Sequence, residues 1–204
     1  MCRALAAIIA RLNYAMVFPS LLIALTVWGQ SAPPLRQPVR AEPIARNAQT
    51  NSVAASELNQ RLLDLHNAAR REVGVPPLVW SSALADQART WGQSLLASER
   101  FEHDSRRGFM GENLWSGWGH PYPLERMVAD WTDERAAYVH GIYPDVRRPG
   151  DVTVVGHYTQ MVWRDTTDVG CALVEGRGQR DRRNRQILVC RYSPPGNVRG
   201  QTAY

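Results

Sequence analysis

Lysine is absent from the chain, so all 24 basic side chains are arginines, set against 19 acidic residues. No long basic stripe with interleaved aromatics occurs, which removes the footprint expected of a nucleic-acid-binding domain. HExxH and GxSxG are both missing, and no two of the five histidines (66, 103, 120, 140 and 157) stand four residues apart. The helical zinc-protease motif and the serine-hydrolase nucleophile elbow are therefore excluded, and any site must be assembled from distant segments. Cysteine is scarce, with three in 204 residues, and no N-x-S/T acceptor is present.

What is there begins with Arg3 and Arg11 flanking a short apolar run, followed by near-continuous hydrophobe from Leu12 to Trp28. Gly29, Ser31 and Ala32 then supply small residues. This order of basic, apolar and small residues reads as a secretory signal peptide over residues 1–32, cleaved near Ser31 or Ala32. A retained anchor is the alternative, since the run is nearly long enough to span a bilayer, although Pro19 interrupts it. Removing the segment takes Arg3, Arg11 and Cys2 with it, leaving 22 of the 24 arginines against 19 acids. Two cysteines remain, Cys171 and Cys190, and an even count in an exported chain points to a disulfide rather than a reactive thiol. Each lies in a β-rich run, VGCALVE and RQILVCRY, so a bridge between paired or neighbouring strands is the expectation. Arg177, Arg180, Arg182, Arg183 and Arg185 read as a solvated hairpin tip, with weak attraction to an anionic surface as the sharper alternative.

Residues 33–55 carry Pro33, Pro34, Pro38 and Pro43 among small and polar residues and read as a disordered linker. The domain spans residues 56–204. Leu58, Leu62, Leu65 and Ala69 form one apolar stripe on a first helix between Ser56 and Gly74. Leu84, Ala88, Trp91 and Leu95 repeat that spacing on a second helix after Ser81. A third helix starts near Pro123 and places Leu124, Met127, Trp131, Glu134 and Tyr138 on one side. Glu134 thus falls on the core face, where an unpartnered carboxylate is costly, so it faces a polar cleft, a cation or a donor, or sits at the rim. DVTVVG (151–156), VGCALVEG and RQILVCRY are short and β-rich. Helices first and strands later indicate an α+β layered domain.

HNAAR (66–70), FEHDSRRGFMGENLW (101–115), WTDERAAY (131–138), GHYTQMVW (156–163), VGCALV (169–174) and CRYSPPGNVRGQ (190–201) occur in that order. Together they resemble the CAP superfamily of cysteine-rich secretory, antigen 5 and pathogenesis-related 1 proteins over roughly residues 56–201. The resemblance implies an α-β-α sandwich with a central antiparallel sheet between helical layers, and a cleft lined by His103, Glu112, Glu134 and His157. It also matches Cys171 and Cys190 to a family disulfide.

The implied function is that of a secreted or periplasmic, non-enzymatic protein. Its ligand would be a sterol, a fatty acid or a cell-surface component, with no nucleic acid and no stable membrane insertion after cleavage. The alternative is a metal-dependent, protease-like hydrolase using the same cleft. His103 and His157 are the expected ligands for Zn²⁺ or another divalent cation, with affinity falling as pH drops through the histidine range near ~6.5. Trp115, Trp118 and Tyr122 lie in a glycine-rich stretch expected to be a mobile loop suited to apolar ligands. His66 reads as a structural helix residue, and His120 and His140 as loop residues.

Overall fold

The computed structural model of the protein describes residues 42–179 and 182–204. The segment read as a signal peptide, residues 1–32, lies outside the described residues, as does Arg180. Helix α1 (Glu42–Glu72) opens the described chain, so residues 42–55, expected in a disordered linker, are helical. After Pro43 the sequence holds neither Gly nor Pro until Gly74, so nothing in its backbone chemistry interrupts the helix. Gly74 then takes a left-handed φ of 71° just past the helix end. The buried face of α1 is more polar than its apolar stripe suggests. Leu62, His66 and Arg70 are each 0% exposed, whereas Leu58 and Leu65 are only partly buried against the core.

A short strand β1 (Val79–Trp80) leads into α2 (Ser82–Ser98), whose first turn is capped by Ser81 Oγ accepting the Leu84 N–H at 3.3 Å. Leu84, Ala88 and Leu95 face inward as their spacing requires. Strand β2 (Gly111–Trp118) follows, then α3 (Leu124–Thr132), which passes directly into a 3-10 turn at Asp133–Ala136. The expected single helix through Tyr138 therefore stops early, and Glu134 is presented from the tighter turn. Helix α4 (Gly156–Met161) and the hairpin of β3 (Asp168–Arg177) and β4 (Asn184–Ser193) complete the chain.

The four strands form one sheet in the order β1-β3-β4-β2. β2–β4 and β3–β4 are antiparallel, and the two-residue β1 joins β3 in parallel at one edge. Helix α2 covers one face, where Ala88 and Leu95 meet Leu114, Ala172, Ile187 and Val189. Close approach there needs Gly170, since a Cβ at that position would lie 2.3 Å from the Ala85 nitrogen. The other face carries α1, α3 and α4, with Trp131, Tyr158, Met161, Leu188 and Tyr192 in its core. This is the layered α+β sandwich that the sequence indicates.

DVTVVG does not form a strand. Asp151 Oδ1 accepts the Thr153 N–H at 2.8 Å and bends the segment, leaving Val152 and Val154 exposed while Val155 is buried. β propensity without a neighbouring edge to pair with does not make a strand. Of the described members of the arginine run, Arg177, Arg182 and Arg183 are exposed around the β3–β4 hairpin tip, and Arg185 is the exception. Arg185 is 2% exposed, donating to the carbonyls of Leu95 and Arg100 and covering the Trp118 ring at 4.6 Å.

Cys171 and Cys190 are directly opposite one another on β3 and β4 and form a disulfide with Cα atoms 4.1 Å apart. The bridge closes a separation of 19 residues, so loop-closure entropy assigns it about 3 kcal/mol. Urea unfolding of a Cys171→Ala/Cys190→Ala protein should show a loss of that order. A loss below about 1 kcal/mol would mean the strand pairing alone holds the hairpin.

His66 is fully buried between Trp131 and Tyr192. Nδ1 donates to the Leu62 carbonyl at 2.7 Å, so Nε2 accepts from the Tyr192 hydroxyl at 2.8 Å. Burial pushes its pKa down from 6.5 to about 4, opposed by the Leu62 hydrogen bond and helped by the nearby Arg70 charge. The folded pKa is thus below the unfolded one, and the unfolded chain binds the proton first. Stability is full above pH ~6.5 and is lost as pH falls from there to ~4, by on the order of 3 kcal/mol. A His66→Gln protein should unfold with a flatter pH dependence across that window. An unchanged slope would place the acid sensitivity elsewhere.

Candidate functional site

The four residues expected in the cleft resolve into two imidazole–carboxylate pairs. Glu134 is buried at the 3-10 turn and accepts three donors. These are the backbone N–H groups of His157 and Tyr158 on Oε2, at 2.9 and 3.0 Å, and His157 Nδ1 against Oε1 at 2.5 Å. Two of them are free N–H groups in the first turn of α4, so one carboxylate both anchors the helix start and orients its imidazole. The His157 ring stacks on Trp131 with centroids 6.0 Å apart, and Asn113 Nδ2 donates to the His157 carbonyl at 3.0 Å.

The second pair is built on the neighbouring residue of β2. Glu112 Oε1 accepts from His103 Nδ1 at 2.6 Å and from the Asp104 N–H at 3.1 Å. Its Oε2 lies 3.2 Å from Arg191 Nη2, an ionic contact without hydrogen-bond geometry. Arg191 stands directly across from Glu112 on β4 and also holds Asp104 Oδ2 at 2.9 Å. Desolvation pushes the Asp104 carboxyl up, but its hydrogen bonds from Arg106 and Arg191 and the two positive charges together bring it below the usual range.

Glu112 and Asn113 are consecutive on a strand, so their side chains leave opposite faces. The two pairs therefore approach β2, an edge strand, from its two sides. Trp131 Nε1 donates to the Leu114 carbonyl of the same strand at 3.3 Å, satisfying part of that edge. In both pairs Nδ1 is committed to a carboxylate, which leaves Nε2 as the ring nitrogen for any ligand. The His103 side chain is 54% exposed and that of His157 29%, while the glutamates are almost wholly covered. Chemically this is the arrangement that fixes the tautomer and orientation of an imidazole able to ligate a metal, with the carboxylates behind the ligands.

Among the described residues, three metal-ligating atoms lie within 4.8 Å of one another only at His66, Cys171 and Cys190. That group is not a site in the oxidised protein, because both sulfurs are in the disulfide and both His66 nitrogens are hydrogen-bonded.

The segment expected as a mobile ligand loop is largely strand β2. Trp115 is buried, its Nε1 donating to Asp130 Oδ2 at 2.8 Å, with Tyr122 edge-on at 5.1 Å. Trp118 is 38% exposed beneath Arg185, so of the two tryptophans it is the one with surface to offer. Asp130, which helical spacing turns away from the core, instead holds Trp115 and pairs with Arg126 at 2.9 Å. Sequence reasoning missed Arg70 and Arg191 altogether. Arg70 lies inside HNAAR, and its position one turn after His66 was the available signal.

A second concavity lies between α1 and α3, about 200 Å³ in volume, with Leu65, Ala68, Val128 and Ala129 among its walls and Glu72 and Arg135 at its rim. Among the described residues no helix is long and apolar enough to cross a membrane.

The family model described as cysteine-rich secretory protein family, CAP, matches residues 63–192. Pathogenesis-related protein 1A of Nicotiana tabacum is 37% identical over 76% of this chain and 86% of its own length. Pathogenesis-related protein 1 of Arabidopsis thaliana is 36% identical over 74% and 84%. The solved structure of NaASP2 with Zn2+ superposes with a TM-score of 0.54 at 22% identity, covering 71% of this chain and 83% of that one. The hookworm platelet inhibitor gives 0.53 at 19% identity, over 72% and 75%. Those two likenesses speak to the fold. With the layered sheet, the cross-strand disulfide and the family match over most of the domain, this chain belongs to the CAP family of cysteine-rich secretory proteins.

Proposed function

We propose that the chain is an exported, non-enzymatic binding protein that holds a divalent cation between His103 and His157 and takes an apolar chain in the groove between α1 and α3. Export is supported by the basic, apolar and small residue order over residues 1–32, by the disulfide, and by membership of a family named for secretion. The observation that carries the binding reading is the commitment of both carboxylates. Glu134 already accepts three donors, and Glu112 is closed in by His103, Asp104 and Arg191. Neither carboxylate is free to take a proton from water, which argues against the carboxylate base of a metal-dependent hydrolase and leaves both glutamates as supports for their imidazoles.

The residues fit a cation in one particular way. The two pairs reach β2 from opposite sides, so a shared cation would sit across the open edge of that strand. His103 and His157 would hold it there through Nε2, each oriented from behind by its glutamate, with water on the remaining positions. Two imidazoles make an open, modest site, and the similar NaASP2 structure was solved with Zn2+. The groove, at about 200 Å³, falls below the ~300–1,000 Å³ of drug-sized pockets. That favours a narrow acyl chain over the fused rings of a sterol, with each buried CH₂ contributing ~0.8 kcal/mol. Its charged rim suits a polar headgroup.

Calorimetric titration of zinc chloride into the full chain should give heat that is lost in a His103→Ala/His157→Ala protein and weakens on acidification, since a ligand nitrogen must be unprotonated. Equal binding by both proteins would remove the cation site. For the groove, palmitate affinity should fall at least tenfold in Ala68→Phe, which fills the space, and change little in Trp118→Ala. The reverse pattern would move the lipid to the β2 segment, and no palmitate binding by wild type would end the lipid reading.

A further inference from the structure

The α2 face of the sheet carries a cavity of about 410 Å³ that neither His103 nor His157 lines. Trp91 and Met110 supply apolar walls, and Arg106, Arg107 and Arg191 bring three positive charges against the single negative charge of Asp104. Even with Glu112 counted behind Arg191, the balance stays positive.

Arg191 is the decisive residue. Its side chain is 1% exposed, and only Nη2 is engaged, by Asp104 and Glu112. Nε and Nη1 are buried with no acceptor at all. A buried donor left unmade is costly, and a guanidinium presents its donors as a planar fork suited to an oxyanion. Arg107 is held in place at the rim, Nε donating to the Met110 carbonyl at 3.1 Å and Nη1 to that of Asp104 at 2.9 Å. Arg106 reaches into solvent, its side chain 84% exposed.

We infer that this cavity is a binding site for a small organic oxyanion, its headgroup drawn to Arg107, Arg106 and the unclaimed donors of Arg191, and its apolar body against Trp91 and Met110. The inference stands apart from the cation site and the lipid groove, which share no lining residue with it.

Benzoate, phenyl phosphate and neutral benzyl alcohol titrated into the full chain test it by calorimetry, together with the indole N–H resonance of Trp91 assigned through Trp91→Phe. At least one anion should bind ten times or more tighter than benzyl alcohol and shift that resonance, and the tighter anion identifies the headgroup. Arg106→Gln/Arg107→Gln, confined to exposed or rim side chains, should weaken that anion at least fivefold without changing zinc or palmitate binding. Arg191→Lys, where it folds, should weaken it further. Binding of all three probes alike, anion binding within twofold in the double variant, no shift at Trp91, or no binding by either anion would each overturn the assignment.

Discussion

The structure depends on one buried cation. Arg70 is 0% exposed near the end of α1, and its guanidinium donates to the carbonyls of Pro76, Met161, Trp163, Arg164 and Thr166. Burial pulls its pKa down to about 10, so it remains charged at neutral pH. Removing a charge of this kind from water costs several kcal/mol, and hydrogen bonds to a charged donor return roughly 1.5–3 kcal/mol each, so only a full set of acceptors makes the burial favourable. That set comes from the turn leaving α4 and from the link after α1. Fixing Arg70 therefore fixes where α4 ends, as Glu134 fixes where it begins. A helix of six residues has little stability of its own, and these two charges hold it from both ends.

The position of His157 follows from that arrangement. Its ring sits on Trp131, its Nδ1 on Glu134, and its carbonyl on Asn113 of β2, so three elements agree on one orientation. The imidazole is at once a structural member of the edge and the holder of an unengaged nitrogen. The two roles do not compete, because the structural contacts use the backbone, the ring face and Nδ1. The His103 pair repeats the logic on the other side of β2 with less packing, and its imidazole is the more exposed of the two.

Much of this was legible in the sequence, though unevenly. The α2 stripe, the two late strands and the bridge are read correctly because each rests on a local signal or an ordered set of motifs. The four His and Glu residues named from those motifs pair as His103–Glu112 and His157–Glu134. The start of α1, the fate of DVTVVG and the nature of the GENLWSGW segment are misread, and the reasons differ. Prolines before residue 43 mark a linker, but they say nothing of the Gly-free stretch that follows. Valine-rich residues 152–155 have the propensity of a strand without a partner edge. Glycines at 111 and 117 suggest mobility, yet in the fold they permit contact, a Cβ at 111 meeting Gln160 at 2.1 Å and one at 117 meeting Trp115 at 2.3 Å. Single-sequence periodicity also expects apolar residues at the most buried positions of α1, where His66 and Arg70 sit. A polar residue satisfied by partners some 90 or more positions away leaves no mark in a helical repeat.

The absence of lysine acquires a structural meaning from these buried groups. Arg70 gathers five carbonyls, Arg185 ties the end of α2 and the Arg100 carbonyl to Ser116 of β2, and Arg191 joins the 104 loop to the sheet through Asp104 and Glu112. A lysine ammonium offers three donors from a point and is strongly hydrated, so it could not span such acceptor sets and would lose more on burial. The single disulfide ties only β3 to β4, across 19 residues, and leaves the segments around 76, 100, 104 and 161–166 without covalent support. In each of those places a guanidinium binds the loop instead. Where its acceptors are complete, as at Arg70, the result is a rigid joint. Where they are incomplete, as at Arg191, the same device leaves donors to spare beside a cavity.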